Sequence, residues 1–162
     1  GDKKGVKVKY KTKVNNGYTY INSSYYISME ESEKIKVTFI VKEDNYNKWD
    51  FVKMLPHVWD NSKILRFFAK DSSDINEISK YLEQDLERRV LKGDRTDYKN
   101  FSPYYLIITD DYKKIENVKI ISEMLKIKRN IGYSLLCLTD DFTMLPNECQ
   151  TFVSINENEF VF

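Results

Sequence analysis

The sequence predicts an α/β protein: an open, mostly parallel, Rossmann-like or ATPase-like sheet flanked by helices, with an N-terminal basic β-strand region ahead of it. Three observations predict it. Tyr104–Asp111 reads Tyr-Tyr-Leu-Ile-Ile-Thr-Asp-Asp, an uninterrupted apolar, β-rich run that fits a strand buried on both faces, with two carboxylates where it surfaces. Tyr133–Asp141, Tyr-Ser-Leu-Leu-Cys-Leu-Thr-Asp-Asp, repeats the pattern. A helical stretch separates the two, and strand–helix–strand is how parallel neighbours are connected. Ligands of such sheets bind beyond the carboxyl ends of the strands, so the two acidic ends are where chemistry is sought first.

A chain of 162 residues is long enough for one domain with a real core and too short for two ordinary ones. We divide it into a basic strand and turn region, 1–33, and the α/β body, 34–162, expected to form one domain overall. The opening Gly1-Asp2-Lys3-Lys4 reads as a fragment of something longer. Apolar residues at 41% and charged residues at 31% describe a soluble globular protein. A net charge of +1 gives no general reason to expect nucleic acid or an anionic membrane as partner. No apolar run approaches the ~18–20 residues of a membrane span.

Val6–Val14 alternates apolar residues with Lys7, Lys9, Lys11 and Lys13, the pattern of a half-exposed strand whose lysine row protects a sheet edge. Asn15-Asn16-Gly17 is a turn signal, and Tyr18–Ile21 a second short strand. The lysines beside Tyr18, Tyr20, Tyr25 and Tyr26 also suit a single strand of nucleic acid, but a solvated edge is the simpler reading of a charge-balanced protein. Ser23–Glu33 fits one short capped helix or a loop. Lys34–Val41 is a β-branched strand. Tyr46–Leu55 reads as helical, with Trp49, Val52 and Phe51 turned inward, and Pro56 stops it.

Ile64–Ala69 is the next strand. Ser72–Lys92 is the clearest helix, with Ile75, Ile78, Leu82, Leu86 and Val90 at steps of three and four. Its Asp85 and Arg89 stand at i,i+4, a spacing that adds at most ~0.2–0.5 kcal/mol. Gly93–Pro103 is a polar loop. Tyr112–Asn130 is a second helix, carrying Ile115, Val118, Ile121 and Leu125 inward, with Lys126, Lys128 and Arg129 near its end and Gly132 as its stop. Phe142–Glu148 is a short turn or helix broken by Pro146, Thr151–Ile155 a final strand, and Glu159–Phe162 an apolar tail. The expected sheet therefore holds 35–41, 64–69, 104–109, 133–139 and 151–155, all mostly parallel, with neither 104–109 nor 133–139 at its edge.

Phosphate cradles need glycines, so that backbone N–H groups wrap the anion, and a lysine followed by Ser or Thr. The five glycines, Gly1, Gly5, Gly17, Gly93 and Gly132, never precede such a pair, and no G-x-G-x-x-G is present. Asp110-Asp111 after Leu-Ile-Ile-Thr resembles a Walker B strand end, where acids hold magnesium and orient water. With Asp140-Asp141 nearby, an acidic magnesium pocket is conceivable. The alternative is that Asp110 and Asp140 cap the helices that follow, each worth ~0.5–2 kcal/mol. His57 is the only histidine, and with no Ser, Cys or second His near it in sequence it reads as structural rather than catalytic. Cys137 and Cys149 lack metal-ligand spacing and read as reduced structural thiols.

Several runs occur together in one order: Lys34–Val41, Trp49 followed by Leu55-Pro56-His57-Val58-Trp59, Arg66-Phe67, Phe101-Ser102-Pro103-Tyr104 leading into Leu-Ile-Ile-Thr-Asp, and Leu145-Pro146. Together they resemble the cytosolic region between the membrane segment and the first motor domain of the type VII secretion coupling ATPase. That is the membrane-anchored FtsK/SpoIIIE-type protein, called EssC in Firmicutes and EccC in mycobacteria, and the match looks like the Firmicutes branch. It covers Lys34 to about Ile155. The resemblance implies a degenerate ATPase-like domain that couples or scaffolds rather than catalyses. It places this domain on the cytoplasmic face of the bacterial membrane, held there by the parent protein. No cofactor is implied here, since ATP and magnesium belong to later motor domains. Adjacent ATPase domains, other subunits and secreted proteins are the implied partners, with no nucleic acid. Only Asp110 and Asp111 match a Walker B place, and no Walker A residue is matched. The family has a strand and a full helix before Lys34, where this sequence offers only Ser23–Glu33. Leu55, Pro56, His57 and Trp59 are the interface candidates, in a corner expected to pack Trp49 or Trp59 on the body.

Overall fold

The apolar runs form strands where the alternation and the β-branched residues ask for them. The computed structural model describes residues 5–14, 17–26, 33–92, 101–156 and 159–161. β3 (Ile35–Ile40), β4 (Phe68–Ala69), β5 (Tyr104–Thr109) and β6 (Tyr133–Cys137) make one sheet in the order β4-β3-β5-β6, every pair parallel. The register sets Ile40 beside Ala69 and Thr109, and Thr109 beside Cys137, so all four strands end at one level. The expected α/β fold is thus present, with helices on one face and 3-10 turns on the other.

Ahead of the sheet, β1 (Gly5–Val14) and β2 (Gly17–Tyr26) pair antiparallel from Gly5↔Tyr26 to Val14↔Gly17. The expected turn at Asn15-Asn16 falls outside the described residues. The second strand runs on to Tyr26 rather than stopping at Ile21. Residues 23–26 therefore extend a ladder, with Tyr25 and Tyr26 suited to strand geometry, and do not start a helix. Of Ser23–Glu33, residues 27–32 lie outside the described residues, as do 93–100 of the expected polar loop.

One face of the sheet packs on α1 (Ser72–Leu91), α2 (Tyr112–Ile115) and α3 (Lys119–Lys126). α1 is capped by Asp71, whose carboxylate accepts from the Asp74 N–H. It buries Ile75, Ile78, Leu82 and Leu86 against Phe67, Tyr105, Ile107 and Tyr133. Burying each such residue stabilises the fold by about 1.5–3 kcal/mol. Val90, expected inside, is 42% exposed, and Arg89 takes the inward position instead at 3%. The expected single helix over 112–130 is two. Val118 is extended between them, and this shifts the apolar phase so that Ile115, Ile120, Ile121 and Met124 all reach the core.

On the opposite face, a second cluster centred on β3 and β4 packs under a 3-10 segment and takes in Ile108 of β5. The helical stretch expected at Tyr46–Leu55 is a 3-10 helix, Glu43–Met54, which ends at extended Leu55 before Pro56 opens a further 3-10 turn, Pro56–Val58. Val52 and Val58 pack on Phe39, Val41 and Phe68. Trp49 is half-buried, whereas Phe51 is 64% exposed and not inward as expected.

Two further expectations are corrected. The strand expected at 64–69 is β4 alone. Asp60 folds residues 60–65 into a turn, accepting from the N–H groups of Ser62 (3.0 Å), Ile64 (2.7 Å) and Leu65 (2.7 Å), with Lys63 at φ 57°. The strand expected at 151–155 does not join the parallel sheet. β7 (Ser154–Asn156) pairs antiparallel with β8 (Glu159–Val161) in a separate ribbon. β6 is consequently an edge strand, contrary to expectation.

Candidate functional site

Sheet order runs leftward from β3 to β4 and then returns across β3 to β5, so the topological switch lies between β3 and β5. Ligands of open α/β sheets bind in the crevice at that point. Here the crevice holds the protein's own bonds. Asp110, directly after β5, accepts from the Lys42 N–H (2.7 Å), Asn45 Nδ2 (2.8 Å) and Trp49 Nε1 (3.3 Å). One carboxylate thereby ties the end of β5 to the end of β3 and to the 3-10 segment covering it.

The two Thr-Asp-Asp endings do the same local work. Thr109 Oγ1 accepts from the Asp111 N–H at 3.0 Å, and Thr139 Oγ1 from the Asp141 N–H at 3.0 Å. The second aspartate of each then caps the next turn. Asp111 Oδ1 accepts from the Lys114 N–H at 3.4 Å, and Asp141 Oδ1 from the Thr143 N–H at 2.9 Å. The caps are therefore Asp111 and Asp141, not Asp110 and Asp140 as the sequence suggested. The hydrogen bonds from the Thr143 hydroxyl and N–H hold the exposed Asp141 carboxyl below its ordinary range.

A cavity of about 340 Å³ opens beside these caps, with Lys42, Asp110, Asp111, Lys113, Asp140 and Asp141 in its wall. Among the described residues, no three His, Cys, Asp or Glu side chains are grouped closely enough to hold a metal ion. Cys137, in the same wall, is a free thiol pushed up to about 11 by burial, which leaves little thiolate for nucleophilic work.

The expected corner is also formed. Leu55 packs on the Phe39–Val52–Val58 cluster, His57 is half-buried in the Pro56–Val58 turn, and the Arg66 guanidinium lies 4.4 Å from the Trp59 ring centre. Trp49 does pack on the body, its ring 5.5 Å from that of Phe39.

Sequence reasoning missed a buried, heavily bonded charge at Arg89. Arg89 Nε pairs with Asp85 at 2.5 Å, and its other nitrogens donate to the carbonyls of Pro103 (2.6 Å), Ile131 (2.9 Å) and Gly132 (3.4 Å). The guanidinium stands 5.0–5.4 Å from the ring centres of Phe101, Tyr105 and Tyr133. Tyr133 in turn donates to Asp85 at 2.9 Å. Gly132, at φ 81°, is required by this approach, since a Cβ there would lie 2.5 Å from Arg89 Nη1. The i,i+4 spacing was the available signal, but it does not separate a buried pair from a solvated one.

Fold and site together define an open parallel α/β domain in which three of the four aspartates at the acidic edge are engaged by the protein's own backbone and side-chain donors. No family model and no solved structure matches the sequence. Over 126 residues it is similar to the ESX secretion system protein EccC of Geobacillus thermodenitrificans (strain NG80-2), at 25% identity. The likeness takes in 77% of this chain and 8% of that protein, so the chain spans a small part of its relative's length. At that coarse level the chain is related to type VII secretion proteins. No described helix is long and apolar enough to cross a membrane.

Proposed function

We propose that this protein is a non-catalytic coupling and scaffolding domain of a type VII secretion motor ATPase. It acts through contacts with adjacent ATPase domains and other subunits, at the cytoplasmic face of the membrane through its parent protein. The observation that carries this reading is the similarity to EccC, which takes in most of this chain and a small part of that protein. Two features support the non-catalytic part. Asp110 spends its carboxylate on three donors at the sheet's switch point, and Asp111 spends its own on a helix cap. The sequence also offers no glycine-rich cradle, so ATP and magnesium belong to motor domains elsewhere in the parent.

A magnesium-dependent nucleotide site at Asp110 and Asp111 is the competing reading, and the cavity beside them is what favours it. The coupling reading is tested by calorimetric titration of this domain with the neighbouring motor domain of its parent. Saturable binding is expected, weakened by Trp59→Ala. No binding by the wild-type domain contradicts it.

A further inference from the structure

The amino end of β3 has an inner face that packing alone does not explain. The pleat puts Lys36, Thr38 and Ile40 on one side of the strand. Ile40 joins the core, but Lys36 is 4% exposed and Thr38 fully buried, its Oγ1 without a hydrogen-bond partner among the described residues. Lysine is almost never buried so deeply unless paired. Lys36 lines a cavity of about 270 Å³ with Glu33, Pro56, Trp59, Asp60, Asn61 and Lys63. This cavity is at the end of the sheet opposite the acidic one.

The nearby acids do not satisfy Lys36. Asp60 is committed to three backbone N–H groups of its own turn. Exposed Glu33 makes no ion pair with it, and Lys36 has none among the described residues. Lys63 adds a second positive charge. Burial holds the Lys36 ammonium below the ordinary lysine range, with Glu33 and Asp60 pulling it back up and Lys63 pushing it further down.

We infer that this cavity binds a peptide carboxylate, from an acidic residue or a free C-terminus, with Lys36 as the anchoring cation. Lys63 supplies the second charge, and Trp59 and Pro56 the apolar wall along which the aliphatic stem lies. An ammonium held on a buried stem, with no ion-pair partner among the described residues, makes a strong charge-assisted hydrogen bond to an entering anion, and little further ordering is needed. The volume falls just under the ~300–1,000 Å³ of whole small-ligand pockets and suits one amino-acid residue. The site stands independently of the coupling reading.

The test is an amide-resolved NMR titration of the intact protein with three probes: N-acetylglutamate α-amide, N-acetylalanine, and the neutral N-acetylglutamine α-amide. Saturable shifts centred on Lys36, Trp59 and Lys63 are expected with one or both acids and not with the neutral amide. Which acid binds more tightly distinguishes an acidic residue from a free terminus as the source. Lys36→Met, whose apolar thioether suits the same burial, should weaken acid binding by at least about tenfold. No saturable shift with either acid, or equal binding of acid and amide by the wild-type protein, overturns the inference. Unchanged affinity in a folded Lys36→Met also overturns it.

Discussion

Arg89 shows how much one residue can hold. It joins α1 to the entries of β5 and β6 through three carbonyls, and Asp85 is its ion-pair partner among the described residues. Removing Arg89 takes the guanidinium from three carbonyls and leaves the buried Asp85 carboxylate with only the exposed Arg88 and the Tyr133 hydroxyl as partners. Arg89→Ala should therefore cost about 3–5 kcal/mol in urea unfolding. A loss under about 1 kcal/mol would mean that the network is ornamental. Tyr105 and Tyr133, beside that charge, have hydroxyls raised far above the ordinary 10.0, first by burial. The sign follows from linkage. A raised folded value means the native state keeps protons that the unfolded state releases, so their contribution is intact below pH ~10 and is lost as pH rises above it. The urea midpoint should fall from pH 9 to 11, and Tyr105→Phe should flatten that fall. An unchanged slope in Tyr105→Phe would contradict the assignment.

At the scale of elements, β5 and α1 were legible because apolar runs and a 3.6-residue period carry their own burial information, whereas β6 was legible as a strand but not as an edge, with Leu136 and Leu138 exposed. The end of α1 was not legible. Val90 fitted the stripe, but the carbonyls and aromatic rings that draw Arg89 inward come from residues 101–133, distant in sequence. Thr-Asp-Asp announced a cap, though not which aspartate provides it, since that depends on where the threonine hydroxyl turns the backbone. Nor did the sequence pair Asp110 with Asn45 and Trp49, some sixty residues earlier. Asp110→Ala leaves those donors unpaired and should cost about 1–3 kcal/mol, more than Asp111→Ala at ~0.5–2. The reverse order, read from urea midpoints, would show that the tie across the switch point matters less than the cap. The corner differs from a buried anchor. Trp59 is half-buried, so Trp59→Ala should lower stability by only roughly 1–2 kcal/mol, and a larger loss would place its ring in the core.

For the molecule as a whole, the proposal is that an open parallel sheet serves here without ATP chemistry. Hydrolysis at such an edge needs a phosphate cradle, a metal held against the β- and γ-oxygens, and a positioned water. The fold offers four aspartates around one cavity, two of them capping turns and one tied to three donors. A triphosphate brought there would meet like charge, relieved among the described lining residues by Lys42 and Lys113. Magnesium sheds water reluctantly and relies on phosphates to complete its shell, so it does not rescue the site by itself. The most direct measurement is phosphate release and calorimetric binding of Mg-ATP by the wild-type protein, with Asp110→Asn and Asp111→Asn alongside. The account predicts no saturable heat and no turnover in any of the three. Turnover in the wild-type protein, abolished by both substitutions in folded protein, would contradict it and make this domain an enzyme.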